Sequence, residues 1–173
     1  MSDFKDVSGA LVHKTANIVG DVRIGAGSRI DAFVTITGPA VIGRFCHVGT
    51  GACIFGGAGF EMGDYSSLSP GAKVFTGTED LSGEWGTNPM ALPRNPITAP
   101  VRLGAHASMC AGSIALPGTD MPEGCILGAL SLAKGRLTEW TIWAGVPAEP
   151  KKQRTRGILD KLKIEFPYLH DGP

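Results

Sequence analysis

From Leu11 to Gly59 the chain reads LVHKTANIVGDVRIGAGSRIDAFVTITGPAVIGRFCHVGTGACIFGGAG. One small pattern returns in it every six residues. An aliphatic side chain stands at Val12, Ile18, Ile24, Ile30, Ile36, Ile42, Val48 and Ile54, often followed by glycine, as at Gly25, Gly43 and Gly49. Four positions after each comes a small or short residue: Ala16, Val22, Ser28, Val34, Ala40, Cys46, Ala52 and Ala58. Period six is neither the helical period nor the alternation of a half-buried strand, so each repeat is a very short strand followed by a turn. Three such strands close a triangular coil of about eighteen residues. Stacked coils then set each aliphatic residue on its equivalent, and the backbone pairs along the stack at roughly 4.8 Å per coil. Inside so narrow a prism there is room for one branched and one small side chain per face.

Beyond Ile54 the register shifts by two residues across Gly56-Gly57-Ala58-Gly59, and the repeat resumes at Met62, Leu68 and Val74, with Ser66, Ala72 and Thr78 in the small slot. The glycine cluster reads as a bulge or widened turn. The period then fails over residues 76–100, which contain Pro89, Pro93, Pro96 and Pro100 and, in the middle, Trp85. Repeats return at Leu103, Met109, Ala115, Met121 and Leu127, so the intervening segment is expected to be an arm expelled from the coil, and loops of this length in compact domains usually carry function. Sixteen hexapeptides make about five coils, a prism roughly 25 Å long. Met1 to Gly9 is expected to be a lead-in strand or loose arm. Trp140 to Ala148 is expected to leave the coil, and Lys151 to Phe166 to form a helix with Ile158, Leu159, Leu162 and Phe166 on one face. The organisation expected is one all-β domain over residues 1–148, with the arm at 76–100, and a helical tail over residues 149–173.

The 16 basic and 16 acidic side chains cancel, so net charge argues neither for nucleic acid nor for a membrane surface. No apolar run approaches the ~20 residues that span a bilayer, and Met1 to Ala10 has no apolar segment of the signal-peptide kind. A cytoplasmic location follows as an expectation. Of the 4 cysteines none forms a CxxC pair, and Cys46 and Cys125 fall in the small slot, which reads as buried thiols in a reducing compartment.

The run Leu103-Gly104-Ala105-His106-Ala107-Ser108-Met109-Cys110-Ala111-Gly112-Ser113, then Leu116-Pro117-Gly118, Leu127-Gly128-Ala129-Leu130-Ser131, and Trp140 to Ala148 with its A-G-x-P-A ending, is similar to the end of the hexapeptide-repeat O- and N-acetyltransferases. The opening Val12-His13-Lys14-Thr15-Ala16 resembles the same group. The resemblance covers nearly the whole chain. It implies a left-handed parallel β-helix, an exception to the usual right-handed crossover, with an expelled loop and a short C-terminal α-helix. It also implies a homotrimer that binds acetyl-CoA in the groove between neighbouring prisms and passes acetyl to a small-molecule acceptor, a sugar or nucleotide-sugar of surface polysaccharide synthesis. On that resemblance Ala111, Ala129 and Ser131 match positions that touch the pantetheine arm. Lys134, Lys152 and Arg154 are the cations expected at the CoA phosphates, with Arg136, Lys151 and Arg156 nearby.

Acyl transfer needs an acceptor that attacks the thioester carbonyl, loses its proton, and leaves an oxyanion to be held. The maltose and galactoside enzymes of the resembled group carry a histidine just before the arm. Here the matching run is Pro70-Gly71-Ala72-Lys73-Val74-Phe75-Thr76-Gly77-Thr78-Glu79, so Glu79 stands in that place with Asp80 beside it. A carboxylate near its ordinary pKa of about 4.3 is a weak base for a hydroxyl, whereas a neutral amine attacks unaided. N-acylation is therefore the expected reaction. His106 and His47 are the alternative bases, each weighed against a plain turn histidine, and His170 lies in the tail. Trp85 is the expected contact for the acceptor's sugar ring.

Two other classes compete. A metal enzyme on the same prism requires a close histidine pair plus a third, whereas His47 and His106 stand 59 positions apart, so no metal is expected. A catalytically silent trimeric scaffold is favoured by the missing histidine and opposed by the retained CoA-end motifs and the long arm.

Overall fold

The computed structural model describes residues 3–80 and 96–165. Every hexapeptide becomes a strand of two to five residues, and the strands distribute over three parallel sheets, here faces A, B and C of a prism. One coil runs Arg29–Ile30 on face A, Thr35–Thr37 on face B and Ala40–Ile42 on face C; the next runs His47–Val48, Cys53–Phe55 and Phe60–Met62. The register is the one the repeat dictates. Ile30 pairs Val48, Ile36 pairs Ile54, and Ile24 pairs Ile42, each with its counterpart eighteen positions on.

The interior follows from the two rows. Ile30, Ile36, Val48, Ile54, Leu68, Val74, Met109, Met121 and Leu127 are fully buried, and so are the small-slot residues Ala52, Ala72, Ala107, Ser113, Thr119 and Cys125. Buried hydroxyls are all satisfied within the coil: Ser28 Oγ donates to the Gly43 carbonyl at 2.8 Å, Ser66 Oγ to Gly104 at 2.8 Å and Thr119 Oγ1 to Leu116 at 2.7 Å. Among the described residues no buried side-chain polar atom lacks a partner.

Where the period breaks, the structure shows why. The glycine cluster inserts two residues, so that Phe60 pairs Ala40 and fills the buried slot that Ala58 was expected to take; Ala58 is half-exposed. Gly56 is required there because a Cβ would stand 2.5 Å from the Thr37 carbonyl oxygen. Thr78 does not occupy the next small slot either. Val101 does, fully buried and paired with Phe60, while Thr76, stacked over Gly56, is buried at the corner, accepting from the Ala58 amide at 2.9 Å and donating to the Phe55 carbonyl at 2.8 Å. Thr78 has already left the coil, in a strand Gly77–Glu79 that pairs antiparallel with Pro96–Thr98. The arm thus leaves and returns as a two-stranded ribbon at the corner between faces B and C. Beyond it Met62 pairs Leu103, and stacking resumes.

Three further expectations are corrected. Among the described residues eighteen coil strands are present, seven on face A, six on B and five on C, so the prism has six coils and begins a seventh. Leu132–Ala133 and Thr141–Gly145 are the two rungs that the sequence count of about five coils left out. Thr141–Gly145 stays on face A, pairing Ile126–Leu127 in parallel, then turns back through the antiparallel strand Ala148–Gln153. Because Lys151 and Lys152 are taken up in that strand, the helix starts later, at Gly157–Glu165. Phe166 lies outside the described residues. At the opposite end Phe4–Val7 folds antiparallel on Ala10–His13, confirming a lead-in strand. Both ends of face A therefore close with a reversed strand, which blunts edges that would otherwise template pairing with another chain.

Ile54 lies fully buried between Ile36 and Val74. Ile54→Ala is expected to lower the unfolding free energy by about 2–5 kcal/mol, measured by urea denaturation, since the coil cannot collapse around the lost atoms. Burial pushes the thiols of Cys46 and Cys110 above their ordinary range and that of Cys125 up to about 12. In the native chain at pH 8, iodoacetamide is expected to modify Cys46 and Cys125 at least about tenfold more slowly than in the urea-unfolded chain. Equal rates would show that these thiols are not core residues.

Candidate functional site

Side chains that could carry chemistry stand on the outer faces and at the corners, because the interior is filled. At the B–C corner, Glu79 closes the first strand of the arm's root opposite Pro96, and Glu79 and Asp80 are both half-buried. Beside them Phe55 and Phe75 stack with ring centroids 5.4 Å apart, Phe55 being 41% exposed. A recess of about 310 Å³ opens there between Phe55, Gly57, Thr76 and Thr98, and another of about 360 Å³ lies on face C under Pro100 and Arg102. Trp85 lies outside the described residues.

His106 stands at a different corner, between faces C and A, with the left-handed backbone φ of 58° that this corner imposes on each coil. Phe45, Tyr65 and His106 occupy successive corner positions, Gly124 takes the next and Trp140 the one after, and the four rings form a ladder. Phe45 stacks on Tyr65 at 5.2 Å, Tyr65 on His106 at 5.1 Å, and Trp140 tilts over His106 at 6.3 Å. Glycines make room at two steps: a Cβ on Gly27 or Gly124 would meet the ring of Phe45 or Trp140 at 2.4 Å. Arg154 caps the ladder, its guanidinium 5.3 Å from the Trp140 ring centre. Its Nη1 donates to the carbonyls of His106 at 2.8 Å and Gly124 at 3.1 Å. His106 is thus held in a ring stack, and Arg154 is tied to main chain.

The A–B corner gathers three of the expected CoA contacts. Ala111 and Ala129 are exposed on adjacent rungs, joined by the Leu130 amide donating to the Ala111 carbonyl at 3.0 Å. Ser131 is buried; its Oγ accepts from the Gly145 amide at 2.9 Å and donates to the Ala129 carbonyl at 3.3 Å. Lys134 is exposed at the start of the B–C corner and Lys152 is exposed on the returning strand of face A. The structure brings Ala111, Ala129 and Ser131 together and sets Lys134, Lys152 and Arg154 on separate edges.

A further constellation escaped the sequence reading. His47 is a strand residue on the outside of face A, where a turn was expected, and its Nε2 lies 2.8 Å from Asp31 Oδ2 on the preceding rung. Arg29 Nε donates to the other carboxylate oxygen at 2.7 Å. Partial burial pushes the Asp31 carboxyl up, and the hydrogen bonds from His47 and Arg29 outweigh it, holding the group below its ordinary range. The signal was present as a spacing of sixteen, which an eighteen-residue coil turns into a diagonal contact between neighbouring rungs. Among the described residues no three His, Cys, Asp or Glu side chains are grouped to hold a metal ion.

A β-helix of hexapeptide coils, broken once by an arm and carrying small exposed residues at one corner, defines the hexapeptide transferases. The profile of the bacterial transferase hexapeptide family (six repeats) matches residues 21–56. The chain is similar to dTDP-4-amino-4,6-dideoxy-D-glucose acyltransferase of Escherichia coli, 29% identical over 152 residues that cover 85% of this chain and 79% of that one. It is also similar to AntD, an N-acyltransferase from Bacillus cereus solved with dTDP and 3-hydroxybutyryl-CoA. That structure is 31% identical, covers 99% of this chain and 100% of AntD, and superposes with a TM-score of 0.90. A serine-to-alanine variant of AntD with dTDP-4-amino-4,6-dideoxyglucose and coenzyme A matches at 30% identity over 99% and 100%, TM-score 0.89. The chain belongs to the hexapeptide-repeat sugar acyltransferases.

Because the folded-state pKa of Asp31 is depressed, its pairing contributes stability that is fully present above about pH 4, the unfolded value. That contribution is lost as pH falls through the lower folded value. Asp31→Asn is therefore expected to be less stable than the parent chain at pH 7, and the gap to narrow below pH 4 in urea titrations. A gap independent of pH would assign the effect to packing.

Proposed function

We propose that this protein is a CoA-dependent N-acyltransferase whose acceptor is a dTDP-linked 4-amino-4,6-dideoxy sugar, acting as a cytoplasmic homotrimer in surface-polysaccharide synthesis. The observation that carries this reading is the end-to-end likeness to AntD, arm included in the span. No described helix is long and apolar enough to cross a membrane. The acceptor nitrogen bonds to the thioester carbonyl carbon, the C–S bond breaks, and the departing thiolate takes a proton to give CoA–SH.

The chain's residues fit the two substrates in different places. Ala111 and Ala129 end at Cβ on an exposed corner, so a thin pantetheine chain has backbone to lie against; Ser131 holds the Gly145 amide and keeps that corner in shape. Lys152, exposed on the returning strand, is the cation best free to meet a phosphate, with Lys134 at a second edge and Arg154 shaping the coil end through its carbonyl contacts. Glu79, with Asp80, orients the acceptor amine and takes up charge at the arm's root. His106 supports that layer through the ring stack. Trp85, in the arm, is assigned to the acceptor's sugar.

The test is a thiol-release assay with acetyl-CoA and 3-hydroxybutyryl-CoA against dTDP-4-amino-4,6-dideoxyglucose and its 4-hydroxyl counterpart. Release is expected with the amine alone, and Glu79→Gln is expected to lower kcat by roughly 10²-fold. Full turnover by that variant would remove Glu79 from the chemistry. No release with any amine, together with no CoA binding by calorimetry, would replace the enzyme reading with a silent trimeric scaffold.

A further inference from the structure

The His47–Asp31 pair lies on face A, across the prism from the root of the arm. With its Nε2–H directed at Asp31, the neutral imidazole carries its lone pair on Nδ1. Among the described residues Nδ1 has no hydrogen-bond partner, and the ring is 50% exposed against 15% for the Asp31 side chain. The ring borders a recess of about 500 Å³ shared with Gly27, Arg29 and Phe45. Among the described residues, the charged groups on the paired rungs beside it are Asp31 and Arg29 of the preceding rung; the next rung presents Ser67, whose Oγ donates to Ser108 Oγ at 2.8 Å. A buried-side carboxylate that fixes one ring nitrogen and leaves the other open to a recess is the arrangement of an oriented base. A plain cross-strand ion pair needs no such open nitrogen.

Resting on the acceptor reading above, we infer that His47, held in its tautomer by Asp31, takes the first proton from the acceptor's ammonium group. A 4-amino sugar enters as R–NH₃⁺ and cannot attack until it loses one proton. Nδ1 accepts that proton and later returns it to solvent. The freed R–NH₂ attacks the thioester carbonyl, and the second N–H proton goes to the thiolate as the tetrahedral adduct collapses, giving amide and CoA–SH. Face A lies across the prism from the B–C corner, so one chain cannot set both His47 and Glu79 against one acceptor. The site is completed by two neighbouring copies, His47 from one and Glu79 from the other, at nearly the same height, since they sit in successive coils.

The experiment is the pH dependence of acetyl transfer to dTDP-4-amino-4,6-dideoxyglucose for the parent chain, His47→Gln and Asp31→Asn, with circular dichroism melts confirming that each is folded. His47→Gln keeps an N–H donor for Asp31. It is expected to lose about 10²-fold in kcat at pH 7, to leave the KM for acetyl-CoA unchanged, and to approach parent activity as pH rises past the amine's own pKa. Asp31→Asn is expected to lose about tenfold and to shift the rising limb of the profile. If His47→Gln keeps the parent's limb and turnover within twofold, His47 is a structural partner of Asp31 and this inference is wrong while the acceptor reading stands. If the parent chain itself releases no thiol with this acceptor, the acceptor reading falls and the inference with it.

Discussion

The structure depends on how little fits inside an eighteen-residue triangular coil. Each face contributes one branched side chain and one small one, each stacked on its equivalent one rung along, as in Ile36 on Ile54 and Ile54 on Val74. Because contacts run only between neighbouring rungs, an error in one coil is passed to the next, and register has to be kept by every repeat. The count departs from eighteen at three places: the last coil is two residues short, Ile126 pairing Ile142, and the other two show how register is kept. Two extra residues are absorbed at Gly56 and Gly57 by a turn that presses against a carbonyl, and the arm is absorbed by leaving and re-entering as one antiparallel ribbon.

A filled interior moves all chemistry outward and divides it by edge. The arm's root puts carboxylates and an aromatic pair at the B–C corner; the C–A corner is spent on a ring stack that stiffens the coil end; the A–B corner presents the small residues Ala111 and Ala129 on adjacent rungs. A ligand that needs a carboxylate, a thin channel and a cation finds them on different sides of one chain.

The hydroxyls and thiols of the small slot show the same economy. Ser28, Ser66 and Thr119 could have been read as site residues, yet their oxygens are bonded to carbonyls of adjoining rungs. Cys46 likewise points its sulfur at the Gly63 carbonyl, 3.2 Å away. Polar atoms inside the prism serve the turn, and only those on the outer faces remain for substrates.

The fold was legible in the chain because its period is short and local: Val12 to Ile54 states the coil, and Leu103 to Leu127 restates it. Legibility failed where the pattern is weak. Leu132–Ala133 and Thr141–Gly145 carry Ala133 and Trp143 where the branched residue marks a repeat, and the latter comes sixteen positions on, yet pairing with Ile114–Ala115 and Ile126–Leu127 carries them into the stack. Of the candidate site, Ala111 and Ala129, expected from the family resemblance, lie eighteen positions apart on adjacent rungs, and Glu79 lies at the arm's root. The sequence by itself determined the prism, its interior and the place of the arm, all consequences of spacing. Only the tertiary structure decided which outward side chains meet: that His106 belongs to a stack, that Arg154 binds main chain, and that His47 reaches Asp31. Those contacts depend on which corner or face a residue occupies and on its direction there, which a repeat of six leaves unspoken.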